Sequence, residues 1–204
     1  MANEPDAGPD RRTRILEAAE RVFALEGYHG TTLRQIAREA GVKLSLVAYH
    51  FETKQALYLA VFTNRQHVNT ERARRLRAIP DLGAPDALER VVDAFMQPVV
   101  ELGPEAMWYR RLVLREAADP SSGDRPVVRE LFDPMAREFI AALRRILPDK
   151  PAGFHEWCYL FAVGALTQSA FDDRMANLAD GAGPGGGVKN DLLRSFIIAG
   201  LRHG

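Results

Sequence analysis

Between Arg11 and Leu57 the apolar residues keep helical spacing, yet short stop and start signals cut the pattern into pieces. Ile15, Leu16, Ala19, Val22 and Phe23 share one stripe of a helix that Gly27 stops. Thr32-x-x-Gln35 opens the next helix as a capping box, in which the hydroxyl accepts an orphan N–H and the glutamine reaches back. That helix runs through LRQIAREA to Gly41. After a turn of about three residues, Leu44 to Phe51 reads as a third short helix, and Thr53 is placed to cap a fourth that starts at Lys54. Two short helices joined by a tight glycine turn and packed on a preceding helix form a helix-turn-helix, whose second short helix enters the major groove of DNA.

The rest of the chain reads as helix as well, and the strand signal of alternating Val, Ile and Thr between turns never appears. The fold class is all-α. Pro85, Pro104 and Pro126 stand where a first helical turn accepts proline, which opens helices at 85–102, 104–118 and 126–147. Pro98 and Pro134 fall inside two of these and predict kinks. FHEWCYLFAVGALTQSAF, residues 154–171, is apolar on nearly every side and needs partners all round. GAGPGGG, 181–187, precedes a last helix, 188–201. Gly181, Gly183 and Gly186 match G-x-G-x-x-G but lack the strand a dinucleotide site requires, so a flexible linker is the reading. The acidic MANEPDAGPD reads as a disordered arm. The expected division is an arm at 1–10, a DNA-binding domain at 11–56 and a larger helical domain at 57–204.

Whole-chain charge is balanced, with 27 basic and 27 acidic residues, but its distribution is not. Residues 11–75 carry twelve Lys/Arg against six Asp/Glu, a net of +6, which puts the basic surface beside the helix-turn-helix. Cys158 is the single cysteine, so no intrachain disulfide forms, and a cytoplasmic location is expected. No apolar run spans a bilayer. Enzyme signatures are missing: there is no G-x-S-x-G, no H-E-x-x-H and no paired His/Cys metal spacing, and the five histidines are scattered. Neither catalytic residues, a metal nor a cofactor is expected. His155-Glu156 reads as structural.

On the third helix, Val42, Val47 and Phe51 can face the core together, leaving Leu44, Ser45, Leu46, Ala48, Tyr49 and His50 outward. Tyr49 can donate to a phosphate or lie against a thymine methyl, and His50 can donate to a phosphate oxygen. Lys54 and Thr32, at two helix starts, bring a charge and a hydroxyl toward the backbone. Residues 11–62, RRTRILEAAERVFALEGYHGTTLRQIAREAGVKLSLVAYHFETKQALYLAVF, resemble the N-terminal DNA-binding domain of the TetR family of bacterial transcriptional regulators. The resemblance implies a homodimeric, all-α repressor with a larger C-terminal domain that supplies a four-helix dimer interface and a small-molecule site. It implies a DNA-contacting set of Thr32, Arg34, Lys43, Leu44, Ser45, Leu46, Ala48, Tyr49, His50 and Lys54. The chain departs from the family in two places. Lys43 stands where a capping Ser or Asn is common, and Ala48 stands where a tyrosine is common.

The C-terminal half is similar to the fatty-acid-responsive branch of that family. This implies an apolar or acyl effector in a pocket formed by residues 85–147. The candidate lining is Phe95, Met96, Met107, Trp108, Leu112 and Phe132, with Arg111 or Arg115 for an acidic group and Glu116 or Asp119 as competing partners of those arginines. Dimerisation is expected through helices at 154–178 and 188–201. Two other functions share the composition: a helical enzyme acting on a lipid or acyl substrate, and an adaptor that has lost DNA binding.

Overall fold

The computed structural model describes residues 10–103, 106–169, 177–178 and 186–204. Among them the chain is helical without strands, and it divides after Asn64 into two compact units. The disordered-arm reading of 1–9, the helix start at Pro104, the stretch 170–176 and the glycine stretch 181–185 lie outside the described residues.

The first unit holds α1 (Arg11–Gly30), α2 (Leu33–Glu39), α3 (Leu44–Phe51) and α4 (Lys54–Asn64). Gly27 breaks α1 with φ 74°, a value that costs glycine little, and Tyr28–Gly30 form a final turn beyond it. The capping box of α2 is complete. Gln35 N–H donates to Thr32 Oγ1, while Gln35 Oε1 accepts from Thr32 N–H at 2.7 Å. Gly41 takes φ 64°, and Val42 N–H donates to Ala37 O at 3.0 Å, which closes the end of α2 and starts the turn into α3. Arg14 donates to Ala40 O at 2.9 Å and so ties that turn to α1. Thr53 Oγ1 accepts from Ala56 N–H at 3.0 Å, the cap expected for α4. The core gathers Ile15, Phe23, Ile36, Val47, Leu57, Tyr58 and Phe62, with Tyr58 edge-on to Phe23 at 4.7 Å and to Phe62 at 5.2 Å. Helix α4 contributes four of its side chains to this core, which is why it belongs with α1 to α3 and not with the helices after Asn64.

The second unit holds α5 (His67–Arg77), α6 (Ala87–Val100), α7 (Met107–Ala118), a short 3₁₀ turn (Ser122–Asp124), a π-helical turn (Val128–Phe132), α8 (Asp133–Ile146), α9 (Phe154–Gln168) and α10 (Gly186–His203). Two proline expectations resolve differently. Pro98 sits in the last turn of α6, which continues unbroken to Val100. Pro134 lies at the start of α8, and the chain before it widens, with Asp133 N–H donating to Val128 O, five residues back. The expected single helix at 126–147 is therefore a π turn followed by α8. A proline ring crowds the carbonyl four residues earlier and offers no N–H, so the α-helical ladder cannot run through it.

Phe95, Phe139 and Tyr159 meet edge-on or tilted at 5.6 to 6.5 Å in the centre of the unit, with Leu88, Val92, Met135, Leu143, Ile197 and Leu201 around them. Glu116 and Asp119 pair with Arg125, a partner the sequence did not suggest. Arg125 Nη2 donates to Glu116 Oε2 at 2.8 Å and to Asp119 Oδ2 at 2.7 Å. The 3₁₀ turn folds Arg125 back under α7, a non-local approach that helical spacing does not encode.

Two carboxylates of this unit are held at about 2. Hydrogen bonds from Arg74 and Arg75 lower Glu71, and the Ser121 N–H and hydroxyl, followed by Arg125, lower Asp119. Their ordinary values are 4.5 and 3.8, so both favour the folded state above those values and lose that contribution as pH falls toward 2. The melting temperature is expected to hold from neutral pH down to about pH 5 and to fall between about pH 4.5 and 2. In Asp119→Asn that fall should be shallower, as thermal melts across the range would show.

Candidate nucleic-acid interface and effector cavity

Helix α3 is fastened by few groups. Its buried side chains are Val47 and Phe51, which stabilise it by about 1.5–3 kcal/mol each. Half-buried Val42 precedes them, and the Arg12 guanidinium lies 5.4 Å from the Phe51 ring centre. The other side chains of the helix are exposed or half-buried. Tyr49 is 78 % exposed, with its ring edge-on to His50 at 5.3 Å. Lys43, Leu44, Ser45 and Ala48 are exposed, while Leu46 and His50 are half-buried. These seven residues form one continuous outward face, and Arg34 on α2 is exposed as well.

Two of the expected contact residues also have partners within the unit. The Lys54 ammonium donates to Tyr28 O at 2.9 Å and Thr31 O at 3.0 Å and lies 4.5 Å from the Tyr28 ring centre. It locks the end of α1 to the start of α4, and burial lowers its pKa. The Tyr28 and Thr31 carbonyls beyond the Gly27 break accept from its N–H groups, which the position of Lys54 in the sequence does not reveal. The Thr32 hydroxyl donates to Gln35 Oε1 at 2.7 Å, so its hydrogen is spent inside the capping box. Arg14, which braces the Gly41 turn, is not distinguished by sequence reasoning; its only signal there is its place in the basic run RRTR.

Lys43 occupies the N-cap of α3 and makes no side-chain cap. Lys43→Ser is expected to stabilise the fold by about 1 kcal/mol, because a hydroxyl accepts the open N–H. It should also lower the slope of log affinity against log salt on DNA by about 1 if the ammonium meets a phosphate. Denaturant titration and binding at several salt concentrations read the two effects separately.

The second unit encloses a cavity of about 60 Å³ between α5, α6, α7, the π turn, α8 and α9. Of the eight residues expected at a ligand site, Phe95 and Phe132 line it. Met96 is in the core behind α6, Leu112 is fully buried elsewhere, Met107 and Arg115 are exposed, and Trp108 and Arg111 do not reach it. The phase of α7 decides this. Its inward stripe is Tyr109, Leu112 and Glu116, and the residues it offers the cavity are Tyr109, Arg110 and Val113. A glutamate on the inward stripe conceals that phase in the sequence. His155 is buried with Nε2 2.9 Å from Leu147 O, the structural role expected of it. No cluster of three metal-ligating side chains occurs among the described residues, and no described helix is long and apolar enough to cross a membrane.

Both units match known sequence families. Residues 15–61 match the family described as bacterial regulatory proteins, tetR family, and residues 93–200 match the tetracyclin repressor-like C-terminal domain. The second match covers more than half of the chain. The chain belongs to the TetR family of bacterial transcriptional regulators. The helix-turn-helix of the first unit lies within the matched residues 15–61. It is 35% identical over 112 residues to the HTH-type transcriptional regulator SrpR of Pseudomonas putida, across 55% of this chain and 49% of SrpR. It is also 35% identical over 112 residues to the HTH-type transcriptional regulator TtgW of Pseudomonas putida, across 55% of this chain and 78% of TtgW. The chain thus spans about half the length of SrpR. A TetR-like regulator from Rhodococcus sp. RHA1 shares the fold, with a TM-score of 0.64 at 20% identity over 99% of this chain and 100% of that one.

Proposed function

We propose that this TetR-family protein is a cytoplasmic repressor that binds a palindromic operator as a homodimer and releases it when a small molecule occupies the second unit. The observation that carries the DNA reading is the exposed face of α3 around Tyr49, held to its unit by two buried side chains and flanked by basic residues. Such a helix presents base-reading groups without disturbing its own core.

The dimer reading rests on α9 and α10. Trp157, Leu160 and Phe161 on α9, with Val188, Leu192 and Phe196 on α10, are between 54 % and 71 % exposed. Of these, Trp157, Phe161 and Phe196 border, with Phe154 and Gly200, an apolar groove of about 630 Å³. A soluble chain leaves a contiguous apolar face of this kind for a partner, and a two-fold axis lets the same face cover itself. The effector would favour one of two dimer states, and for a 99:1 reversal that preference is about 5.5 kcal/mol.

The test is selection of the purified protein against a random duplex library at about 150 mM salt, the range in which phosphate contacts are still discriminating. Enrichment of a two-fold symmetric site is the expected result. A folded protein that enriches nothing would favour the adaptor reading instead.

A further inference from the structure

We infer that the cavity beside Arg72 is a receptor for a small organic carboxylate, with the Arg72 guanidinium pairing its acid group. The inference rests on the effector-responsive reading of the second unit and names the chemical class of the effector. Arg72 lies on α5 and is 7 % exposed. Its Nε donates to Phe95 O at 2.7 Å, and the guanidinium stacks 4.5 Å from the Phe95 ring centre. Its Nη1 and Nη2 groups make no hydrogen bond to any described residue, although the side chain lines the cavity.

No carboxylate among the described residues pairs with this cation. The other buried arginine shows the usual solution, since Arg125 holds Glu116 and Asp119. An arginine cannot shed its proton to escape burial, so an uncompensated one is costly unless an anion arrives from outside. The ionisable groups that act on Arg72 are the hydroxyls of Tyr159 and Tyr109. Burial pushes Tyr159 up to about 12, so it stays a neutral hydrogen-bonding phenol, and Asp133, which also acts on it, pairs with Arg137.

The remaining walls set the class of anion. Val68, Val99, Val113, Met135 and Leu166 are apolar, while Asn69, Thr167 and Arg110, which donates to Val99 O at 2.8 Å, add polar edges. A forked guanidinium over apolar walls suits a planar monoanion with a compact hydrocarbon body, because the two free N–H edges match two carboxylate oxygens. The space corresponds to about two waters, room for the acid group and the first carbons, so a larger hydrocarbon body has to extend through the open side of the cavity. The site also reaches a segment able to respond. Phe132 closes one side from the π turn, and Leu131 O in that turn accepts from Gln66 at 3.0 Å and from Asn69 at 3.2 Å, both on the α5 side. An occupant would press on a turn already outside regular α geometry.

The experiment titrates the full chain with butyrate, 2-methylbutyrate, benzoate and phenylacetate, each beside its neutral amide, at constant ionic strength and by calorimetry and thermal melting. At least one acid is expected to bind and to raise the melting temperature with concentration, while its amide does neither. Arg72→Met should lower that acid's affinity by about a hundredfold, the scale of losing a buried charge partner, yet melt at or above the wild-type temperature. Arg72→Lys, which keeps the charge but not the fork, should bind with an intermediate affinity. Binding of none of the four acids, equal binding of acid and amide, unchanged affinity in both variants, or a lower melting temperature for Arg72→Met would each overturn the assignment. The same protein taken through operator selection separates the two readings. A palindrome without acid binding removes the receptor alone, and acid binding without a palindrome removes the regulator reading alone.

Discussion

Phe161→Glu is expected to convert the proposed dimer to monomers and to weaken operator binding by about 10²- to 10⁴-fold, the advantage lost when two linked half-sites are engaged singly. Phe161 is 66 % exposed and stacks on Trp157 at 5.7 Å, with Phe196 bordering the same groove. Across a two-fold axis each substitution acts twice, placing two carboxylates against a largely apolar surface where the Lys150 ammonium, at the Phe154 edge, is already held by the Arg202 and Gly204 carbonyls. The side chain makes little of its own unit's core, so helical content at 25 °C should remain. Sedimentation equilibrium and binding to a selected operator measure the two outcomes. A variant that remains dimeric at micromolar concentration would place the interface elsewhere.

Glu116→Ala is expected to cost the second unit about 3 kcal/mol, because it strips a buried cation of its principal partner. Arg125 is 3 % exposed and Glu116 2 %, with contacts at 3.1 and 2.8 Å from Nε and Nη2. Asp119 remains at 2.7 Å and Ser121 at 3.3 Å, which keeps the loss at the low end of the range for a broken buried pair. For a chain of this size that corresponds to a fall of about 6–12 °C in melting temperature. The paired change Glu116→Leu with Arg125→Met should restore most of it, since burying two apolar chains avoids two desolvation costs. Denaturant unfolding of the single and double variants reads the difference. A Glu116→Ala protein as stable as the wild type would mean that solvent reaches the pair.

The two predictions draw on different kinds of information. The exposed apolar face of α9 and α10 was legible as an excess: FHEWCYLFAVGALTQSAF is apolar beyond what one core-facing stripe needs, so a further partner was required. The Arg125 pair was not legible. Glu116 lies nine residues from Arg125 across two changes of helical geometry, and spacing arguments reach only to the next turn of one helix.

Arg72 lies between these cases. It falls four residues after Val68 and four before Leu76, on the stripe that α5 buries, so a charged residue at an apolar position was visible in RARRLR. Whether a carboxylate from another helix would meet it was not, because that depends on what α6 and α9 bring to the same point.

The sequence by itself determined the all-α class, the capping box at Thr32, the turn at Gly41, the inward set Val47 and Phe51, and the outward Tyr49. Each of these is a contest between neighbours in the chain: a hydroxyl and an N–H three residues apart, a φ that only glycine adopts cheaply, a 3.6-residue period. Only the tertiary structure decided that Lys54 turns inward to the Tyr28 and Thr31 carbonyls, that Pro134 is accommodated by a π turn, and that α7 offers Tyr109 and Val113 to the cavity. Those outcomes depend on which unsatisfied carbonyl, cation or empty volume arrives from a distant element, and a pattern along one helix carries no record of it.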